Sequence, residues 1–158
     1  MEHEITYATD WGPGRIRYSG DTVVGLDLPG ANLSCAVATG DAPPAIVNLR
    51  DRLEEYFSGR APLPDGTGFA ETATTPFRRR VYGIVCAIPP GQTRTYREVA
   101  VVAGSPRAAR AVGAAMAENR FAPLIPCHRV VGSDGALHGY GGGLKMKQAL
   151  LLREKGPR

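Results

Sequence analysis

The sequence predicts a mixed α/β (α+β) protein with two lobes, a strand-rich lobe over residues 1–75 and a mainly helical lobe over residues 76–158. Short β-branched runs between Gly and Pro turns fill the start of the chain, whereas apolar residues recur at helical spacing later. Pro, Gly and Thr accumulate from 61 to 76, which predicts a connector between the lobes. A chain of 158 residues buries enough surface to fold without disulfide or metal staples.

The N-terminal lobe is predicted to hold three strands and one helix. The strands are expected at 5–8, 15–18 and 22–28, with the turn Trp11-Gly12-Pro13-Gly14 between the first two. Apolar residues share one face of 45–58, which predicts a helix that ends at Gly59. The connector is expected to contain at most one short strand, near Phe69.

The C-terminal lobe is predicted to be built from four helices. Thr75 and Pro76 begin the first, which ends at Pro89. Thr95 caps a second helix to about 103, and a turn at 104–106 leads to a third over 107–118. Two short helices across a Gly-containing turn are typical of a helix-turn-helix. The last helix is predicted at 144–155, after a glycine run.

Composition excludes several classes of protein. Hydrophobic residues make up 43% and charged residues 22%, which argues against disorder and coiled coil. No apolar run approaches the roughly 18 residues of a membrane span, and the acidic start does not resemble a signal peptide. Cys35, Cys86 and Cys127 are odd in number and form no CxxC pair, which argues against disulfides and structural zinc. We therefore expect a cytoplasmic protein without metal, cofactor or membrane partner.

Charge is distributed unevenly along the chain. Residues 1–75 carry a net charge of −6 and residues 76–158 a net charge of +10. A C-terminal half this basic predicts a polyanionic partner, most simply nucleic acid, although a solubility-driven bias gives the same pattern. Sixteen of the nineteen basic residues are Arg, which suits bidentate contacts to phosphate.

The third helix of the C-terminal lobe has almost no long side chains. Among its Ala and Gly residues only Arg107, Arg110 and Met116 extend beyond a few atoms. A helix that reads bases in the major groove needs Asn, Gln or Arg side chains along it. This helix suits close approach to a narrow groove, and the alternative is a buried packing helix.

Cys127 is the candidate nucleophile. A thiol reacts as its thiolate, so it needs a base and cationic surroundings, and His128 and Arg129 follow it directly. A third group must orient the imidazole, for which Glu154 on the last helix is the candidate. Metal ligation by the Cys-His pair is disfavoured because no second ligand pair stands at useful spacing.

Several segments together resemble one known family, the O6-alkylguanine-DNA alkyltransferases (methylated-DNA–protein-cysteine methyltransferases). The resemblance covers about residues 77–155 and extends more weakly to the turn at 11–14. The matching runs are Ile88-Pro89-Pro90-Gly91, Thr95-Tyr96-Arg97-Glu98-Val99-Ala100, Gly104-Ser105-Pro106-Arg107-Ala108-Ala109-Arg110, Ile125-Pro126-Cys127-His128-Arg129-Val130-Val131, Gly139-Tyr140-Gly141-Gly142-Gly143 and the segment from Lys147 to Glu154.

The resemblance implies catalytic roles. Cys127 resembles the thiolate that accepts the alkyl group from O6 of guanine in a single turnover. His128 resembles a base acting through water, with Glu154 as its partner, and Asn119 resembles the residue that braces the cysteine turn. The family also implies a ribonuclease-H-like sheet in the N-terminal lobe and a monomer that binds double-stranded DNA through the minor groove.

The resemblance also implies how the lesion is reached, since a base inside a duplex must be flipped out before a thiolate can attack it. Tyr96 matches the residue that faces guanine N3 and rotates the target phosphate, and Arg110 matches the arginine that fills the vacated stack. The DNA-binding set implied is Tyr96, Arg97, Ser105, Ala108, Ala109, Arg110, Gly113 and Ser133. The alkylguanine pocket implied is Tyr96, Met116, Cys127, Val130, Tyr140 and Gly141.

Three positions depart from the family pattern or lack a role in it. Arg120 stands where many relatives have Pro after the Asn, Arg78 stands where Gln is frequent, and His138 lies in the loop over the pocket. The sequence leaves open the range of alkyl groups and activity on O4-methylthymine. Two other classes share parts of this pattern: a non-catalytic alkyl-lesion sensor, which in this family lacks the cysteine, and a helix-turn-helix transcription factor, which the bare third helix disfavours.

Overall fold

The computed structural model describes residues 1–30, 41–135, 140 and 143–156. Cys35, His138, Gly139 and Gly141 lie outside the described residues. The mixed α/β class is confirmed. The chain forms two compact units, Met1–Pro64 with Arg120–Ala122 and Asp65–Asn119 with Pro123–Arg158.

The first unit contains an antiparallel sheet and one helix. Its strands are β1 (His3–Tyr7), β2 (Gly14–Ser19) and β3 (Thr22–Asp27), in that order across the sheet, and the helix is α1 (Pro44–Phe57). Alternate strand residues such as Ile5 and Ile16 are buried and paired in register. Tyr7 stacks on Phe57 of α1 with ring centroids 5.6 Å apart. The predicted strands and helix are confirmed to within two residues at each end.

The second unit is mostly helical. Its helices are α2 (Thr67–Ala70), α3 (Pro76–Cys86), α4 (Tyr96–Val102), α5 (Ala109–Ala117) and α6 (Leu144–Lys155), and its two-residue strands are β4 (Arg94–Thr95) and β5 (Val130–Val131). α3 begins as predicted, since the Thr75 hydroxyl accepts a hydrogen bond from the Arg78 N–H. No helix among the described ranges is long and apolar enough to cross a membrane.

The connector contains no strand near Phe69, where the sequence analysis allowed at most one. Residues 67–70 instead form the short helix α2, because Asp65 Oδ1 accepts hydrogen bonds from Thr67 N (3.0 Å) and Thr67 Oγ1 (2.6 Å) and so favours a helical turn. α2 packs against α3, which places residues from Asp65 onward in the second unit. The division between units therefore falls at 64/65 within the predicted connector, earlier than the 75/76 boundary taken from the sequence.

α4 and α5 form the expected helix-turn-helix. Thr95 and Glu98 cap α4 reciprocally, and Gly104 takes φ +84° in the turn that follows. α5 starts two residues later than predicted because the Ala108 N–H bonds the Ser105 carbonyl at 2.9 Å and closes a separate turn. One face of α5 is buried, and Tyr82 Oη donates to its Ala115 carbonyl at 2.7 Å. The opposite face is exposed, so α5 both packs and presents a smooth surface.

Candidate active site

Cys127 begins a single tight turn in a buried stretch of chain. Cys127–Arg129 form one turn of 3-10 helix, in which the Arg129 N–H bonds the Pro126 carbonyl at 2.9 Å. Directly after the turn, β5 pairs in parallel with β4, so Val131 lies beside Thr95 at the start of α4. The cysteine turn is thereby tied to the first residue of the helix-turn-helix.

His128 is fixed by Glu154, as the sequence predicts. Its Nε2 lies 3.0–3.1 Å from both oxygens of the Glu154 carboxylate, and the imidazole is 0% exposed. Arg129 grips the same carboxylate in a bidentate ion pair, at 2.9 Å from Nε and 2.7 Å from Nη2. Its Nη1 donates to the Ile88 carbonyl at 2.7 Å, just beyond α3. One carboxylate thus joins the cysteine turn to α6.

The protonation states of this cluster follow from its contacts. Burial raises the pKa of Glu154, but the hydrogen bonds and charges of His128 and Arg129 outweigh burial and lower it to about 2. Burial lowers the pKa of His128, against the opposing effect of Glu154, so the imidazole is neutral near pH 7. An ionised carboxylate only accepts hydrogen bonds, so the single proton of the neutral ring sits on Nε2. Nδ1 is therefore a buried lone pair, and it has no hydrogen-bond partner among the described residues.

The cation that acts on Cys127 is a lysine that the sequence analysis did not single out. Burial raises the pKa of the Cys127 thiol, while a hydrogen bond from Asn119 and the charge of Lys147 oppose that rise. Lys147 is 1% exposed on α6, on the same buried stripe as Leu150 and Glu154. Lys147 stands three and seven residues before Leu150 and Glu154, which places all three on one helix face, and this spacing was the available signal. Arg129, expected beside the thiol as its cation, is instead bound to Glu154 and to the Ile88 carbonyl.

Asn119 and Tyr96 both lie close to the cysteine turn. Asn119 Nδ2 donates to the Ile125 carbonyl at 2.8 Å, and the Cys127 N–H bonds the same oxygen at 2.8 Å. Tyr96 is the first residue of α4 and is half-buried. Burial raises the pKa of Tyr96, and the nearby Cys127 raises it further.

The other pocket residues differ in burial. Met116 and Val130 are buried. The Tyr140 ring is half-buried and lies edge-on to the His128 ring, with centroids 6.3 Å apart. Cys86 on α3 is half-buried and burial raises its pKa to about 11, so its thiol stays protonated at neutral pH.

The residues predicted to contact nucleic acid are exposed or half-buried. Arg97 and Arg110 are exposed on α4 and α5, and Ser133 is exposed just after β5. The small residues predicted on the same surface are half-buried: Ser105, Ala108, Ala109 and Gly113. A Cβ added to Gly113 would meet no protein atom within 4 Å, so this part of α5 faces open space.

Two departures from the family pattern have structural partners. The Arg78 guanidinium pairs with the Glu118 carboxylate just after α5. The Arg120 carbonyl accepts a hydrogen bond from the Leu26 N–H of β3 at 2.7 Å, while its side chain is exposed. Residues 120–122 thereby join the first unit.

The fold and the site define a helix-turn-helix protein with a buried candidate nucleophile, Cys127, and a histidine held by a carboxylate. Residues 76–156, from α3 through α6, match the sequence model of the 6-O-methylguanine DNA methyltransferase DNA-binding domain. The chain belongs to this family.

Similar proteins agree with that assignment. A methylated-DNA–protein-cysteine methyltransferase from Methanosarcina barkeri is 47% identical over 110 residues, which cover 66% of this chain and 65% of the relative. The matched segments span 61–67% of the length of such curated relatives. The crystal structure of Mycobacterium tuberculosis O6-methylguanine methyltransferase is 35% identical with a TM-score of 0.78, covering 98% of this chain and 93% of that one. The Mycobacterium tuberculosis OGT protein in complex with DNA gives 35% identity and a TM-score of 0.79, covering 97% and 93%.

Proposed function

We propose that this protein repairs DNA by transferring the alkyl group of O6-alkylguanine in a duplex to Cys127, once per molecule. The family match supports the substrate, and the arrangement around His128 supports the chemistry. The observation that carries the proposal is the buried, neutral His128 with Nε2–H directed to Glu154 and Nδ1 left without a partner among the described residues. Such a lone pair can accept a proton, directly or through a water molecule.

The proposed step moves one proton and exchanges one bond. A water molecule relays the thiol proton of Cys127 to Nδ1 of His128, and Glu154 stabilises the imidazolium that forms. The thiolate then attacks the alkyl carbon, so that an S–C bond forms while the C–O6 bond breaks and its electron pair stays with guanine. The guanine anion takes up one proton from water, and His128 returns its proton to water, so protons and charge balance. We assign Tyr96 to face guanine N3.

The proposed reaction leaves the protein spent. The product is an S-alkyl thioether, and its thiolate is a poor leaving group. The other described cysteine, Cys86, has a pKa of about 11 and is no ready nucleophile at neutral pH. We therefore infer a stoichiometric reaction without cofactor or metal.

In the proposed mode of binding, the lobe over residues 76–158 binds DNA, because it carries both the helix-turn-helix and Cys127. The smooth, open face of α5 fits a minor groove, which explains binding with little sequence preference. Arg110 is exposed on this helix and is assigned to fill the stack after the damaged base is flipped. We further propose that the protein acts as a monomer in the cytoplasm; an odd number of cysteines without a CxxC pair supports a reducing compartment.

Intact-mass analysis after incubation with O6-methylguanine DNA tests the proposal. We expect one added methyl group per chain, located on Cys127. Cys127→Ser is expected to lose transfer and keep lesion binding, whereas Cys86→Ser should react normally. Lesion binding without any mass gain would identify a non-catalytic lesion sensor instead, and methylation of the Cys127→Ser protein would refute the assignment of the acceptor.

A further inference from the structure

A turn outside the helix-turn-helix packs against the segment that carries the cysteine. The turn consists of Asp65, Gly66 and Thr67, and the two hydrogen bonds from Thr67 to Asp65 Oδ1 fix it at the start of α2. Gly66 is buried, although Asp65 and Thr67 on either side are exposed. The proposed transfer step uses none of these three residues.

Gly66 is required by space and not by backbone conformation. Its dihedral angles, φ −99° and ψ 3°, are accessible to other residues. A Cβ added here would overlap the carbonyl carbon and oxygen of Leu124 and lie 3.1 Å from the Ile125 N atom. These are backbone atoms, so no side chain can rotate aside to make room, and any larger residue must displace the chain at 124–125.

The displaced segment is the one that sets the position of Cys127. The Ile125 carbonyl accepts both the side-chain amide of Asn119 and the N–H of Cys127, each at 2.8 Å. Leu124 and Ile125 are 1% and 0% exposed, so the peptide between them is enclosed. If this peptide is displaced, the atoms packed around it must move as well. Movement of this peptide would turn the Ile125 carbonyl away from both donors.

We propose that Gly66 is a positioning residue for Cys127: by allowing the Asp65–Thr67 turn to contact the Leu124–Ile125 backbone, it holds the cysteine turn in its reactive geometry. This inference rests on the proposed role of Cys127 as the acceptor. A displacement on the order of 1 Å at a reacting group can slow a reaction about a hundredfold. The contact is therefore expected to affect the chemical step more than DNA binding, because the exposed residues of α4 and α5 do not take part in it.

The test compares Gly66→Ala with Gly68→Ala, a matched control two residues further on. A Cβ at Gly68 meets nothing within 4 Å, and the residue is exposed on the same short helix. We expect Gly66→Ala to slow single-turnover methyl transfer from duplex DNA at least tenfold, with affinity for undamaged DNA unchanged. Gly68→Ala should match the wild type in both measurements. Equal transfer rates for the two variants would overturn the proposal.

A second readout separates positioning from a general loss of stability. The rate of Cys127 alkylation by iodoacetamide, followed by mass spectrometry against pH, reports on the environment of the thiol without any alkylguanine. Gly66→Ala should shift the midpoint of this pH profile in the folded protein, and Gly68→Ala should not. An unshifted midpoint together with a lower Tm would mean that Gly66 has only a structural role.

If Gly66→Ala fails to fold, the cap of the turn provides a milder pair of variants. Asp65→Ala removes the acceptor for both Thr67 donors, whereas Asp65→Asn keeps an oxygen at that position. We expect Asp65→Ala to slow both reactions relative to Asp65→Asn, and equal rates would refute the proposal. The two proposals can fail separately. If the wild-type protein gains no methyl group but Gly66→Ala still shifts the iodoacetamide pH profile, the proposed function fails and the positioning role stands.

Discussion

Glu154 binds two buried partners at once, His128 and Arg129, and this arrangement affects the protonation states of the site. Arg129 balances the charge of the carboxylate, so His128 is needed only as a hydrogen-bond donor and stays neutral. A buried carboxylate facing His128 alone would favour the imidazolium, which cannot accept a proton. Burial lowers the pKa of His128, the charge of Arg129 lowers it further, and the histidine is therefore neutral and able to act as the proposed base.

The rate of transfer is expected to be level across neutral pH. His128 is protonated only below its usual pKa of about 6.5, because burial lowers that pKa, and Cys127 ionises by itself only above its usual range, because burial raises its pKa. Between these limits the thiol and the imidazole are both neutral, and proton transfer within the relay is independent of pH. Single-turnover rates at saturating protein, measured from pH 5 to 9, check this plateau.

The opposite result has a clear signature. A rate that rises about tenfold per pH unit through neutrality would mean that a freely ionising thiolate reacts without His128. If the rate begins to fall at a pH above 6.5 as the pH is lowered, the pKa of His128 is raised in the folded protein. Cys127→Ser provides the blank for alkylation elsewhere on the chain.

At the scale of single residues, the sequence predicted one contact of the candidate site, between His128 and Glu154, and missed others. The adjacency of Cys127 and His128, and Glu154 as the orienting carboxylate, could be predicted from chemistry and family resemblance. The destination of Arg129 could not, because the sequence does not indicate that Glu154 binds a second partner or that the Ile88 carbonyl lies within reach of the guanidinium. The close approach of Gly66 to Leu124 is equally non-local, and a glycine in a turn-rich connector gives no sign of it.

Helix α5 shows how an element can satisfy two demands that the sequence presents as alternatives. Val112, Ala115 and Met116 are buried, whereas Arg110 is exposed and Gly113 faces open space. Small residues allow both a close packing face and a close docking face. Caps and periodicity located the helices well, but α2 was missed because a four-residue helix has no periodicity to detect.

Gly113→Leu should separate folding from DNA binding. A Cβ at Gly113 meets nothing within 4 Å, and replacing a helical glycine stabilises a helix by roughly 0.5–1 kcal/mol. If α5 enters a narrow groove, the leucine will hold the backbone away from DNA and weaken binding at least tenfold. Gly83→Leu on α3 is the matched control, because a Cβ there also meets nothing within 4 Å.

Thermal unfolding and titration with undamaged duplex check both halves of this prediction. Both variants should unfold at or above the wild-type temperature, and only Gly113→Leu should lose affinity. Unchanged affinity of Gly113→Leu would show that α5 does not approach DNA closely at this position.

Arg110 provides the second prediction at the scale of α5. A flipped base leaves a gap in the stack that costs a few kcal/mol unless a side chain fills it. Arg110→Ala should therefore slow transfer from duplex DNA more than tenfold, a loss above about 1.4 kcal/mol, while reaction with free O6-benzylguanine hardly changes where the pocket admits it. Arg110→Lys keeps the charge but lacks the planar stacking surface, so its rate with duplex DNA should lie between those of the wild type and Arg110→Ala. Equal slowing with both substrates would indicate that Arg110 only supports the helix.

Over the whole molecule, the charge imbalance between the two halves of the sequence becomes a prediction about salt. The C-terminal half carries +10 and the N-terminal half −6, so DNA affinity should come from one end of the chain. Each phosphate neutralised adds about 0.9 to the slope of log affinity against log salt. Arg97→Gln, on α4, should reduce this slope by about 1 for every sequence tested. Arg52→Gln removes a charge that is also exposed, from α1, and should leave the slope unchanged.

Fluorescence anisotropy with several undamaged duplexes, from 50 to about 200 mM salt, measures the slopes. Affinity that hardly depends on salt, or a strong preference for one undamaged sequence, would exclude phosphate-directed binding and with it the basic half of the chain as the DNA-binding half.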